Sequence, residues 1–133
     1  MATANAYQTY KNQEVSMASP MALIVMLYNG CIKRLKLARM AIEKKDYEDA
    51  NNQLKKSQAI ITELASSLDF NYPIANDLMA LYEFMLREII DINIKKDADR
   101  IEPVINMLSG LRDAWKQVEK TCRQSYPLEE SEA

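Results

Sequence analysis

Residues 19–30 read SPMALIVMLYNG, and positions 21–28 within them are apolar or aromatic without a break. The reading of this stretch decides the fold. Ser19 offers a hydroxyl for capping, and Pro20 suits a first helical position, where its missing N–H is no loss. The apolar run is far short of the roughly 20 residues that a membrane span needs, and Asn29, Gly30, Lys33 and Arg34 follow it. It therefore opens a helix, apolar on every side at first, whose pattern continues to about Lys45.

Working outward, Asp46 with Asp49 three residues on makes an acidic first turn for a second helix. Its stripe is Tyr47, Ala50, Leu54, Ile61, Leu64 and Leu68, ending within residues 67–71. Pro73 opens a third helix with Ile74, Leu78, Leu81, Tyr82, Met85, Ile89 and Ile92 on its main face. KKDADR (residues 95–100) forms the next turn, with Asp99 and Glu102 as capping partners and Pro103 tolerable only in a first turn. Ile101, Val104, Ile105, Leu108, Leu111, Trp115 and Val118 mark a fourth helix. Four helices of about 20 to 25 residues on short turns predict an all-α, antiparallel up-down-up-down four-helix bundle. Residues 1–18 are expected to form an N-terminal arm or cap, 19–122 the bundle and 123–133 a flexible acidic tail.

Composition agrees with one helical domain. The chain has 133 residues, the usual single-domain size. With 48% hydrophobic and 27% charged residues it is globular rather than disordered. Gly (2) and Pro (4) are too scarce to break long helices often. The net charge of −2 argues against nucleic acid and anionic lipid, both of which demand a basic face. Cys31 and Cys122 show no CxxC pairing and read as buried free thiols of a reducing cytosol. The N-terminus lacks a basic-then-apolar signal pattern, so a cytoplasmic location is expected. Histidine is absent, which removes His acid–base chemistry, His metal ligation, histidine phosphotransfer and the Glu-x-x-His di-iron bundle. Glu43, Glu48, Glu63, Glu83 and Glu88 read as solvated faces. No enzyme, metal or cofactor is expected.

The helices differ in how much oil they carry. The second and fourth show one apolar stripe with charge opposite, as a bundle member should. In the first, Ile24, Tyr28, Cys31 and Leu35 form one line, Leu23 and Leu27 another, and Val25 and Met26 broaden the band. In the third, Met79, Phe84 and Leu86 flank the main face. A bundle keeps one side of each helix toward solvent, so the surplus must be scattered exposure, a self-dimer, or a groove for another chain. Flexible thioethers suit irregular partner surfaces; Met21, Met26 and Met79 are assigned to contact with another chain, and Met40, Met85 and Met107 to core filling. Tyr28 and Tyr82, in matching LY words, should pack near each other with hydroxyls toward the groove rim. Leu64 and Leu68 complete the expected contact set. Tyr7, Tyr10 and Val15 belong to an arm that can lie across the groove as a removable lid or form a fixed cap. Gly30 and Gly110 sit mid-helix, where close approach of another backbone is the expected reason.

The ordered pieces AYQTY (6–10), ASP (18–20), LIVMLYNG (23–30), ITELASSLD (61–69), NDLMALYEFM (76–85) and LRDAW (111–115) resemble the FliS family of flagellar secretion chaperones, the export chaperones of flagellin. The likeness spans about residues 6–116. It departs from the family's common pattern at Met21, Asn29 and the FNYPIA turn. The resemblance implies a small antiparallel bundle that binds the disordered C-terminal segment of new flagellin in the cytoplasm and prevents premature polymerisation. It also implies delivery to the export gate of the flagellar type III apparatus. The rival reading is a homodimeric helical scaffold using the same apolar faces.

Overall fold

Four helices follow one another: α1 (Pro20–Glu43), α2 (Tyr47–Ser66), α3 (Ile74–Lys95) and, after a 3-10 turn (Ala98–Arg100), α4 (Ile101–Ser125). The computed structural model describes the backbone of residues 20–125 and the side chains of residues 20–122. The expected Ser19 cap, the arm and residues 126–133 lie outside the described residues. α4 continues as helix through residues 123–125, which the sequence reading places in the tail.

α1 is the most enclosed helix, packing on α2 along one side and α4 along the other. α3 packs mainly on α2 and only sparingly on α4, so the α3/α4 side is the loosest of the bundle. The interior is made by Leu35, Leu54, Ile61, Leu64, Met85, Ile89, Ile92, Ile101 and Leu108, which are all but fully buried. Each such side chain stabilises the fold by about 1.5–3 kcal/mol relative to exposure.

The turns explain where the helices stop. Asp46 caps α2: its Oδ1 accepts from the Asp49 N–H at 3.2 Å. The same corner ends α1, because the Asp46 N–H donates to the Ala41 carbonyl at 2.8 Å and the Lys45 N–H to that of Ile42 at 2.9 Å. This double closure requires a left-handed residue, normally glycine. Here Lys45 takes it, at φ 62°, and Lys96 does the same after α3, at φ 51°. Between α3 and α4 the capping residue is Asp97, whose carboxylate accepts from the Asp99 N–H at 3.2 Å. The expected caps Asp99 and Glu102 do not serve, because the 3-10 turn that leads into α4 starts at Ala98 and is capped by Asp97; Glu102 instead pairs with Arg39 of α1. Arg100 folds back onto α3, bonding Asp91 and, at 3.1 Å, Glu88. That guanidinium, helped by Lys95, holds the Asp91 carboxyl below the usual carboxylate range.

Several expected core positions are exposed. Tyr47, Ile74 and Val118 sit near helix ends, beyond the reach of neighbouring helices, and Met40 faces solvent while Met85 is buried and Met107 half-buried against the core. Cys31 is buried, its Sγ donating to the Ser57 carbonyl at 3.7 Å, and burial pushes its thiol up to about 12. Cys122 is exposed, since α4 has by then run past the packed interior. Neither mid-helix glycine meets another backbone. A Cβ on Gly30 would meet only the Ile60 side chain at 3.7 Å, and one on Gly110 would meet nothing within 4 Å.

Glycine thus stands where helix is continuous and lysine where the chain turns left-handed. Gly110→Ala is expected to raise stability by about 1 kcal/mol. Lys45→Gly should add about 0.5–1 kcal/mol by relieving the left-handed lysine. Urea unfolding of each variant measures both gains.

Candidate functional site: apolar surface that the bundle does not bury

The apolar run of α1 divides into two sets. Leu23, Val25, Leu27 and Tyr28 are buried, whereas Met21, Ala22, Ile24 and Met26 are half-buried. Much of the breadth that looks surplus in sequence is used by the two neighbours that grip α1. On α3 the surplus is larger. Ala75, Leu78, Tyr82, Met85, Ile89 and Ile92 face inward, Met79 and Leu86 are half-buried, and Phe84, Ile90 and Ile94 are exposed, Ile94 to 75%. The corner before α3 adds Phe70, Tyr72 and Ile74, with Tyr72 at 63%.

Tyr28 and Tyr82 meet, as the matching LY words predict, but inside the bundle rather than at a rim. Their hydroxyl oxygens are 2.5 Å apart and their rings are tilted by 46° with centroids 6.5 Å apart. Trp115 of α4, partly buried against the same core, lies beside the Tyr28 hydroxyl and partly offsets the rise in its pKa. α1 and α3 therefore share one small polar knot in an apolar interior. Burial raises both phenol pKa values; for Tyr82 the bond to Tyr28 adds to the rise, whereas for Tyr28 its bonds partly oppose it. Both rings stay neutral, so the knot holds structure and offers no charge.

The expected contact residues thus fall into three groups. Met21, Ile24, Met26, Leu68 and Met79 are half-buried and present surface. Val25, Tyr28, Leu64 and Tyr82 are enclosed by the chain's own helices, because each lies on a core-facing line. Tyr7, Tyr10 and Val15 lie outside the described residues. Sequence reasoning missed Ile90, Ile94, Phe70 and Tyr72. The signal was present for Ile90 and Ile94: with Leu86 they repeat every four residues along a line beside the α3 main face. Among the described residues no cluster of metal-ligating side chains occurs and no helix is long and apolar enough to cross a membrane.

Two measurements test the knot. Tyr28→Phe leaves the Tyr82 hydroxyl buried without its partner and should cost about 1–3 kcal/mol, while the double change to Phe recovers most of the loss; urea midpoints of the cycle report the coupling. Burial also sets the pH dependence. The buried Cys31, Tyr28 and Tyr82 groups have raised values when folded, so their contribution is complete below the ordinary ionisation range. Stability should fall as pH rises above about 9, where the unfolded chain's thiol and then its phenols ionise while the folded ones do not.

The comparisons with known proteins fit this architecture. The family model described as flagellar protein FliS matches residues 3–122. The flagellar secretion chaperone FliS of Bacillus subtilis is 41% identical over 117 residues, covering 88% of each chain. That of Salmonella typhimurium is 35% identical over 125 residues, covering 89% of this chain and 93% of its own. A crystal structure of a flagellar chaperone from bacteria superposes with a TM-score of 0.74 at 18% identity, covering 90% of this chain and 98% of the other, which supports the fold. The relatives are chaperones by name, a non-enzymatic role. The four-helix bundle with its shared LY words and unburied apolar flanks belongs to the FliS family of flagellar proteins.

Proposed function

We propose that this chain is a cytoplasmic export chaperone that binds the C-terminal segment of flagellin, keeps it from polymerising early and passes it to the flagellar type III export gate. The observation that carries the reading is the apolar surface left over by the bundle in a member of a family whose named relatives are secretion chaperones. This surface is spread along α3 from Met79 to Ile94 and over the start of α1 at Met21, Ile24 and Met26. Such a distribution suits a client laid along the bundle as a helix using i, i+3 and i+4 anchors, better than one held in a single pocket. Coupled folding of this kind buries about 1,000–3,000 Å² and costs about 2–5 kcal/mol in ordering the client. At about 25 cal/mol per Å² a few hundred Å² of apolar contact offsets that ordering. Val25, Tyr28, Leu64 and Tyr82 serve by fixing the helices that present the contact surface. The arm, with Tyr7, Tyr10 and Val15, covers part of this surface until client displaces it.

Titration with the flagellin C-terminal segment should yield a 1:1 complex from a monomer. A constitutive dimer unaffected by that segment would favour the scaffold reading instead. Ile90→Lys with Ile94→Lys, both at exposed positions of α3, should weaken binding at least about tenfold, since each buried aliphatic anchor is worth about 1.5–3 kcal/mol. Deleting residues 1–15 should raise uptake of an apolar dye and leave flagellin binding in place.

A further inference from the structure

Most of α1 carries cations and no carboxylate. Residues 20–42 hold Lys33, Arg34, Lys36 and Arg39 and neither Asp nor Glu. Residues 20–45 sum to +5, so the rest of a chain whose net charge is −2 carries −7. The small overall charge conceals a strongly basic helix. Of the four cations only Arg39 meets a carboxylate among the described residues, that of Glu102, while Arg34 donates to the neutral Gln53 amide at 3.2 Å.

Lys33, Lys36, Met40 and Lys44 are all exposed, Met40 to 48%. At 100° per residue they fall within about 80° of one another, and at 1.5 Å per residue they form a strip about 17 Å long. Lys44 keeps the helical register just past α1, its N–H donating to the Met40 carbonyl at 3.0 Å. None of the three lysines forms an ion pair among the described residues. Lys95 on α3, by contrast, is neutralised by Asp91 one turn away at 3.1 Å. Lys33 with Lys36, and Lys36 with Arg39, are like charges at i, i+3 spacing, which repel. An anionic partner laid on the strip removes that repulsion, and the Met40 thioether gives it an adaptable apolar contact.

Shape selects the kind of anion. The strip is narrow and is bordered by the exposed carboxylates of Glu43 and Glu102, which a flat anionic bilayer would press against its own charge. α1 presents no exposed aromatic ring on which a nucleic-acid base could stack. A rod with one acidic edge fits best. We propose that the outer side of α1 docks an acidic amphipathic helix of a partner protein. Its carboxylates meet Lys33, Lys36 and Lys44, and an aliphatic side chain between them covers Met40. The strip is turned about 80–160° away from Tyr28, which points across the interior at α3. The acidic partner can therefore bind while another chain lies on α3. This goes beyond the flagellin reading and does not depend on it.

The test is fluorescence anisotropy of the full chain with a labelled, helix-stapled peptide that bears three glutamates and one leucine at the matching spacing. At about 50 mM salt the peptide should bind, and at about 500 mM binding should weaken about tenfold, because exposed charge pairs are screened. Lys33→Glu with Lys36→Glu should weaken it at least about tenfold, since each change turns an attraction into a repulsion. Lys55→Glu with Lys56→Glu, at exposed positions of α2, alters the net charge equally and should change binding less than about twofold. Met40→Ser should weaken binding without altering its salt dependence. Absence of binding at 50 mM salt overturns the proposal, as does an equal loss in the α2 variant. Equal affinity for a peptide of the same composition with its glutamates spread round the helix also overturns it. Vesicles of anionic phospholipid held through Lys33 and Lys36 when the peptide is not would assign the strip to a membrane surface instead.

Discussion

The hydroxyl contact between Tyr28 and Tyr82 governs how α1 and α3 face each other, and most of what is distinctive about the surface follows from it. A phenol inside a four-helix bundle must find a partner, because an unpaired buried hydroxyl is expensive. Here each ring supplies the other's partner across the interior. Once Tyr82 points inward, the rotation of α3 is set. At about 100° per residue, Leu86 falls about 40° from the Tyr82 direction, Ile90 about 80° and Ile94 about 120°. Their exposure rises in that order, from half-buried Leu86 to the largely solvent-facing Ile94. The unburied flank of α3 is thus the geometric counterpart of the buried tyrosine pair.

The unequal packing of the helices adds a second constraint. α1 is held from two sides, so its apolar run is largely consumed. α3 leans on α2 and is joined to the α4 corner chiefly through Arg100 with Glu88 and Asp91, a polar tie at one end. A helix gripped along one side keeps more of its apolar circumference available for another chain. A surface of this kind is adhesive without being a cavity, which suits a client recognised along its length. Met21, Met26 and Met79 contribute deformable contact there, and rigid interior side chains behind them keep the helices in register.

Charge plays a secondary part in holding the fold. The ion pairs Arg39–Glu102 and Lys95–Asp91 are exposed and each stabilises little in water. Their use is positional: Arg39 ties the far end of α1 to the start of α4, and the Asp91 cluster fixes the turn between α3 and α4. The stability resides in the apolar interior, whereas the αL lysines and the mid-helix glycines oppose it slightly.

Residue order alone was enough to determine four helices, their antiparallel path, the acidic start of the second helix at Asp46 and the meeting of Tyr28 with Tyr82, because apolar period and turn chemistry are local properties of the chain. The FliS motifs were equally legible, being words of sequence. Whether Val25 or Ile94 faces solvent was a different kind of question. Both are apolar side chains on helices rich in them, and their burial depends on which neighbours arrive and at what rotation. The tertiary structure decided that Val25 is covered by its neighbours while Ile94 stays largely exposed, and that Lys45 and Lys96 take the left-handed corners. Periodicity can say how wide an apolar band is. Only packing, in which each helix competes for a limited interior, settles which part of the band is left outside.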